Sequence, residues 1–348
     1  MKVVSAYFEI TNRCNFNCRT CYNRSGLNKT TTEMSIDNIR AAIQLFSKLG
    51  ANRFSFAGGE PFLHSKIDKL IYLIEQDKNK SFDFVTNGSI HNERFIELYN
   101  KEKNINIQVS LDGSCEEVNS KTRGKGNFTK TESFLKKLYN PNKKPRLKMV
   151  ISKYNFYDIE DFYRKALELN AFPEFAFVNK QGNATDDWED MSITSFEKVS
   201  AIKIINKLNK ELDTTAVLPL CTSRCPLSED LENLSVCVRT DGSIYPCQLL
   251  YDDFFSLGNV FDFNIEEFST RLNYVSGLVK QREANDYGCN HCILNQKCKH
   301  GCMAFAFSLN KDPSDCDGDC DFRKQQFIRY DIADLIKEKI SLIKYSDK

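Results

Sequence analysis

The chain has no apolar run of about 18 residues, the length from which a membrane-crossing helix is built, so no transmembrane helix is expected in its 348 residues. A signal segment is not expected either, because Met1 is followed within a few residues by a strand-like run, Val3 to Ile10. A cytoplasmic location is the expectation. An excess of one charge is also missing. The net charge of +1 gives no case for nucleic acid or an anionic membrane as partner. Lysine pairs such as Lys136-Lys137 and Lys143-Lys144 read as solvated surface. Histidine is scarce, with four residues, His64, His91, His291 and His300, that offer little for metal or acid–base chemistry. His64 reads as a surface residue at a helix start.

Cysteine, by contrast, is plentiful, at 14 residues. A reducing cytoplasm disfavours disulfides, which leaves metal ligation as the natural use. Cys14, Cys18 and Cys21 stand at CxxxCxxC spacing directly after the first apolar run. Three thiolates leave one iron of a 4Fe–4S cube without a protein ligand, and that iron can take a chelating molecule. A structural zinc site is the alternative, but it closes with four ligands, and the next histidine is His64.

Further motifs follow successive apolar runs. Gly58-Gly59-Glu60-Pro61 ends Phe54 to Ala57, as a glycine turn does where backbone must come close to a ligand beyond a strand. Thr86-Asn87-Gly88 follows Phe82 to Val85, and Ser110-Leu111-Asp112-Gly113 ends Ile105 to Val109. Arg123-Gly124-Lys125-Gly126-Asn127-Phe128 comes next, then Val150-Ile151-Ser152 and Asn155 after a fifth strand. Each is weak alone, since Ser-x-Asp-Gly is an ordinary turn and an isolated Arg123 is a surface charge.

Strand-like runs alternate with amphipathic segments up to about residue 180. Met34 to Leu49, Ser65 to Glu75, Ile90 to Tyr99, Lys130 to Tyr139 and Tyr157 to Leu169 read as helices, the first with Ser35 placed as N-cap. A sixth strand falls near Glu174 to Val178. Such alternation means an α/β fold with a parallel sheet whose chemistry sits at the C-terminal strand ends, where every motif above falls. The expected architecture is a partial (β/α)6 TIM-like barrel over residues 1–190. A bridging helix and linker follow over 191–219, with Val199, Ile202, Ile205 and Leu208 on one helix face. Beyond lie a small cysteine-rich domain, 220–322, and a C-terminal helix, 323–348. Val236 to Arg239 and Ser243 to Tyr245 read as a hairpin turning at Thr240-Asp241-Gly242.

The pairing of CxxxCxxC with GGEP, and the order of the later motifs, resembles the radical S-adenosylmethionine (SAM) superfamily. The resemblance implies a 4Fe–4S cluster on Cys14, Cys18 and Cys21, with SAM chelating its open iron. It places Gly58, Gly59, Glu60 and Pro61 at the methionyl amino group, Ser110 and Asp112 near the ribose, Arg123 near the carboxylate, and Ile151 and Asn155 on the adenine side. Asn87 and Tyr22 complete the expected cofactor site. Aromatics such as Phe62 and Tyr22 would suit a pocket for peptide side chains, but read more readily as SAM-adenine packing or plain core. The implied chemistry is reductive cleavage of SAM to a 5′-deoxyadenosyl radical, with a flavodoxin or ferredoxin as reductant.

Cys289, Cys292, Cys298 and Cys302 give CxxCxxxxxCxxxC, and Gly242 to Cys247 gives GxxxxC. Together they resemble the SPASM extension with two auxiliary 4Fe–4S clusters. The implied ligands are Cys247 and Cys302 with two of Cys221, Cys225 and Cys237, favouring Cys221 and Cys225, and Cys289, Cys292 and Cys298 with Cys320 or Cys316. Cys237 lies within a strand run, where it reads as a small buried side chain. Two zinc sites are the rival reading.

Enzymes with this extension mostly modify peptides, so a peptide substrate is expected, crosslinked through thioether or carbon–carbon bonds or dehydrogenated. A separate recognition protein, or direct binding, would serve the substrate, since the barrel begins almost at Met1. The alternatives are a dehydrogenase or epimerase of a small molecule, a formylglycine-forming sulfatase maturase, and a non-catalytic metal scaffold. Against the sulfatase reading, Gln248 stands where that group places an Asp base, and an amide has no useful basicity.

Overall fold

Eight strands form one sheet in the order β6-β5-β4-β3-β2-β1-β7-β8 in the computed structural model, which describes residues 2–27, 30–217, 227, 231, 233–284, 292, 298 and 301–325. In chain order the elements are β1 (Val3–Thr11), α1 (Ile36–Lys48), β2 (Arg53–Gly58), α2 (Ile67–Glu75), β3 (Ser81–Thr86), α3 (Glu93–Lys101), β4 (Ile105–Ser110), α4 (Glu116–Arg123) and α5 (Asn127–Leu135). There follow β5 (Arg146–Ile151), α6 (Ile159–Glu168), β6 (Phe172–Phe177), a short α7 (Trp188–Met191) and α8 (Ser195–Glu211). The cysteine-rich part contributes β7 (Leu234–Val238), β8 (Ile244–Tyr245), α9 (Ile265–Ala284) and α10 (Met303–Asn310).

Strands β1 to β6 are all parallel neighbours. This is the α/β architecture expected. Helix starts are fixed by local chemistry. The Ser35 hydroxyl accepts from Asn38 N–H, Asn92 Oδ1 accepts from Phe95 N–H, and Thr194 and Glu197 form a reciprocal capping box before α8. The apolar stripe of α8, Val199, Ile202, Ile205 and Leu208, is buried as expected. Helix α4 was not anticipated, because its residues are polar nearly throughout, and α5 begins at Asn127 rather than Lys130.

Register separates the two faces of the sheet. Phe8, Phe56, Phe84 and Ile107 lie side by side across four strands, and Phe8 meets Phe46 of α1 while Phe84 meets Phe95 of α3. Those apolar rows form the core under the helices. The alternate rows are polar: Tyr7 beside Ser55 beside Asp83, and Ser110 beside Lys148 beside Glu174. Towards the strand starts this inner face carries a chain of ion pairs. Arg53 grips buried Asp83 through Nε at 2.7 Å and Nη2 at 3.0 Å. Arg146 lies 3.3 Å from Asp83 and 3.2 Å from Glu174, which Lys148 meets at 2.9 Å.

The hairpin of the cysteine-rich part is as read from the sequence, β8 pairing antiparallel with β7, and it joins the main sheet, where β7 runs parallel to β1 with Tyr7 opposite Cys237. One expectation needs correction. Lys143 is not a solvated charge. Its ammonium donates to the backbone carbonyls of Glu102 and Ile105 beside the Tyr99 ring, and burial lowers its pKa to about 8. Cys221, Cys225, Cys289, His291, His300 and the C-terminal segment from residue 326 lie outside the described residues. Among the described residues, no helix is long and apolar enough to cross a membrane.

Candidate active site

The CxxxCxxC segment leaves the C-terminal end of β1 and is anchored from several sides. Gly59 N–H donates to Thr11 O at 2.8 Å and Glu60 N–H to Arg13 O at 2.7 Å. These contacts explain the glycines. A Cβ on Gly58, whose φ is +131°, would lie 2.1 Å from Thr11 O, and one on Gly59 would lie 2.0 Å from Arg13 O. The close approach is thus to the chain's own cysteine loop, where the sequence suggested approach to a ligand. Asn87, after β3, donates to Asn15 Oδ1 at 3.0 Å, with its amide 4.0 Å from Cys14 Sγ.

Glu60 turns inward. Its wholly buried carboxylate accepts from Thr86 Oγ1 at 2.7 Å, Asn87 N–H at 2.8 Å and Phe62 N–H at 3.3 Å. Burial raises its pKa to about 7 against the lowering effect of those three donors. Phe62 is core, packed on Phe84 and Phe95. His64 is buried rather than exposed: Nε2 lies 2.9 Å from Met34 O, and Nδ1 accepts from Lys66 N–H. The turn before α2 is therefore packed against the entry to α1.

Asp112 and Arg123 form a buried pair. Arg123 Nη2 donates to Asp112 Oδ1 at 3.3 Å, and Nε lies 3.0 Å from Oδ2, near enough for the charges though poorly aligned for a hydrogen bond. Asp112 also accepts from Thr20, Thr122 and Val150 N–H, which ties the cysteine loop, α4 and β5 to one carboxylate. Asn155 donates to Asp112 O and Val150 O and accepts from Ser152, so its amide is fully engaged inside the protein. Ile151 is core. Ser110 is half-buried at the end of β4, on the polar face.

Below the cysteine loop lies a cluster that the motifs did not announce. Buried Glu9 accepts from Tyr251 Oη at 2.8 Å and Tyr22 Oη at 3.4 Å, with Arg239 Nε 3.6 Å away. Tyr22 and Tyr7 share a hydrogen bond at 3.1 Å, and Cys237 Sγ lies 2.9 Å from Tyr251 Oη. Burial, foremost, raises the Glu9 pKa, while Arg239 opposes it. The usable signal was alternation: Ser5, Tyr7 and Glu9 share the inner face and alternate with Ala6, Phe8 and Ile10.

The profile of the Radical SAM superfamily matches residues 8–170. That segment is a radical SAM domain. The chain is similar to mycofactocin maturase MftC of Mycolicibacterium smegmatis, 24% identical over 311 residues, spanning 86% of this chain and 78% of that protein. It is also similar to the antilisterial bacteriocin subtilosin biosynthesis protein AlbA of Bacillus subtilis, 26% identical over 315 residues, 88% of this chain and 68% of that one. Among solved structures, Streptococcus suis SuiB bound to S-adenosylmethionine aligns with a TM-score of 0.74 at 15% identity, over 92% of this chain and 77% of that chain. SuiB bound to its precursor peptide SuiA aligns at 0.73. The likeness to SuiB is one of fold.

A radical SAM domain implies a 4Fe–4S cluster and SAM, and the cysteine loop suits them in its donors. None of the described cysteines forms a disulfide. Burial pushes the Cys14 thiol up to about 11 and the Cys18 thiol up to about 12, with Arg123 the chief opposing influence on Cys18. The loop brings the three thiols together without closing them around one point. Among the described residues no three His, Cys, Asp or Glu side chains are gathered to hold an ion.

Beyond the radical SAM domain, Cys247 Sγ lies 3.4 Å from Leu249 N, and Gln248 is exposed. Cys302 N–H donates to Asp317 at 2.7 Å, and Arg323 pairs with the same carboxylate. Arg282 donates to Asp315 O at 2.8 and 3.0 Å, holding the Cys316 turn near Gly301 and Cys302. Cys320 raises the pKa of Lys324, with Cys292 also nearby, so those two thiols share a neighbourhood.

Proposed function

We propose that the chain is a radical SAM peptide maturase, in which a hydrogen is taken from a peptide to start crosslinking or dehydrogenation. The carrying observation is a three-thiol loop pinned over the C-terminal strand ends of a parallel sheet whose inner face is polar. Similarity to MftC and AlbA over 86% and 88% of this chain, and the fold shared with SuiB, a protein seen with a precursor peptide, support the peptide substrate.

Cys14, Cys18 and Cys21 hold the 4Fe–4S cluster in this reading. Cluster and SAM bound there would supply radical chemistry, the 5′-deoxyadenosyl radical of this family. The chain's own task is positioning and exclusion of water. Gly58, Gly59, Glu60, Pro61 and Asn87 fix the loop, Asp112 just after β4 and Arg123 of α4 brace it, and Ile151 at the end of β5 and Asn155 beyond it shape the wall there. Ser110, at the end of β4 on the polar face, and Tyr22, bonded to Tyr7 and Glu9, are further SAM-site positions in this reading. Cys247 and Cys302 with two of Cys221, Cys225 and Cys237, and Cys289, Cys292 and Cys298 with Cys320 or Cys316, are the auxiliary ligands. The reductant is a flavodoxin or ferredoxin, the peptide is bound through a separate recognition protein or directly, and the setting is cytoplasmic. Residues 1–190, 191–219, 220–322 and 323–348 are the functional units.

Anaerobic co-expression with small peptides encoded beside the gene, followed by mass spectrometry, tests the proposal. Loss of two hydrogens that disappears in the Cys14→Ala, Cys18→Ala, Cys21→Ala triple variant is expected. An unchanged peptide mass from an enzyme that still cleaves SAM would sink the peptide reading.

A further inference from the structure

The two halves of the cysteine loop are anchored on different strand ends. Cys14 is flanked by Thr11 and Arg13, held by Gly59 and Glu60 after β2, and by Asn15, held by Asn87 after β3. Cys18 and Cys21 are held by the segment after β6. Asn183 N–H donates to Cys21 O at 2.9 Å, and Asn183 Nδ2 donates to Cys18 O at 2.8 Å and Asn17 Oδ1 at 2.9 Å. Asn183 is 8% exposed, and its Oδ1 is a buried acceptor without a partner. Gly182 has φ +59°, and a Cβ there would lie 2.1 Å from Cys21 O and 2.4 Å from Tyr22 O. Farther along the segment, Asp187 pairs with Arg19 at 2.9 Å and Asp186 with Arg24 at 2.6 Å. In the other direction Gln181 Nε2 donates to Leu249 O at 3.3 Å, in the turn that bears Cys247.

We infer that Gly182 and Asn183 are positioning residues that set Cys18 and Cys21 in register with Cys14, and that Gln181 ties this clamp to the Cys247 turn. The inference rests on the reading of those three cysteines as cluster ligands. Holding a residue's carbonyl restricts where its Cα and side chain lie, so Asn183, gripping Cys18 O through its side-chain amide and Cys21 O through its backbone N–H, restrains two of the three thiols at once. Glycine is required at 182 twice over, by its left-handed φ and by the missing space. Asn183 Oδ1 is a buried acceptor without a partner, which is costly, so the clamp depends on its remaining bonds to Cys18 O, Cys21 O and Asn17 Oδ1.

The test uses the full chain, reconstituted anaerobically, with iron per chain and the electron paramagnetic resonance (EPR) spectrum of the reduced protein with and without SAM. Four proteins are compared: the parent, Gly182→Ala, Asn183→Ala, and the triple cysteine variant. Circular dichroism identifies any variant that fails to fold, and the other clamp variant then decides. The expected result is that Gly182→Ala loses the same iron as the triple variant. Asn183→Ala should need about tenfold more SAM for half of the spectral change, the weight of one or two net hydrogen bonds. A folded Gly182→Ala or Asn183→Ala with the parent's iron content and SAM response overturns the clamp. A triple variant with the parent's iron overturns the ligand reading instead.

Discussion

Replacing Gly59 by alanine should separate the cysteine loop from the GGEP turn. The added Cβ would stand 2.0 Å from Arg13 O and 2.4 Å from Arg13 C, where at least 3.0 Å is needed, and both obstacles are backbone. No rotamer change can relieve them. Gly59 does not have a positive φ, so the substitution introduces contact rather than torsional strain. The bonds at risk are Gly59 N–H to Thr11 O and Glu60 N–H to Arg13 O, at 2.8 and 2.7 Å. At about 1 kcal/mol net apiece, their loss costs about 2 kcal/mol. At roughly 2–4 °C per kcal/mol the melting temperature should fall by several degrees. The effect on cofactor loading should be larger than the effect on stability, because the displaced residue adjoins Cys14. Iron per chain after anaerobic reconstitution and thermal unfolding of the metal-free protein read the two effects separately. Gly126→Ala is the control, with φ +77° and open space around it. It should cost about 1–2 kcal/mol of backbone strain and leave iron unchanged. Parent-like melting and iron content in Gly59→Ala would refute the reasoning.

Arg123→Met leaves the buried Asp112 carboxylate without its cation and should cost roughly 3–5 kcal/mol in urea unfolding. Arg123→Lys should recover only part of this, since a single ammonium cannot reproduce the two-nitrogen approach; an unchanged midpoint in Arg123→Met would count against the pair. Glu60 should make stability depend on pH. Its folded pKa of about 7 lies above the ordinary 4.5, so the native state keeps a proton that the unfolded chain releases. That contribution is full below about pH 4.5 and is lost as the pH rises through 7, roughly 3 kcal/mol in all. Glu60→Gln should flatten the difference profile over that window, and an identical profile in the variant would contradict a raised pKa.

The six parallel strands were legible because each apolar run is short and ends at a turn motif. The cysteine motif was legible because its spacing is rare. Glu60 and Asp112 could be placed at strand ends but not given their partners, since Thr86, Asn87, Val150 and Thr20 are joined to them only through the fold. Asn183 carries no sequence signal: a Gly-Asn pair is an ordinary turn until the carbonyls of Cys18 and Cys21 come beside it. His64 was misplaced for a related reason, because its partner Met34 O belongs to another loop. Helix α4 hid behind its polar residues, and the pairing of β7 with β1 joins segments more than two hundred residues apart.

That pairing changes what counts as a separable piece of this protein. With β2 on one side and β7 on the other, β1 is an interior strand, and Ser5 to Phe8 are matched residue for residue with Ser235 to Val238. A fragment ending after α8 would lay bare the backbone N–H and C=O groups along that side of β1. Exposed strand edges of this kind recruit further strands, commonly from a second copy of the same fragment. The cysteine-rich part thus acts as the lid on an adhesive seam, and a dissected barrel would tend to self-associate before its chemistry could be assayed.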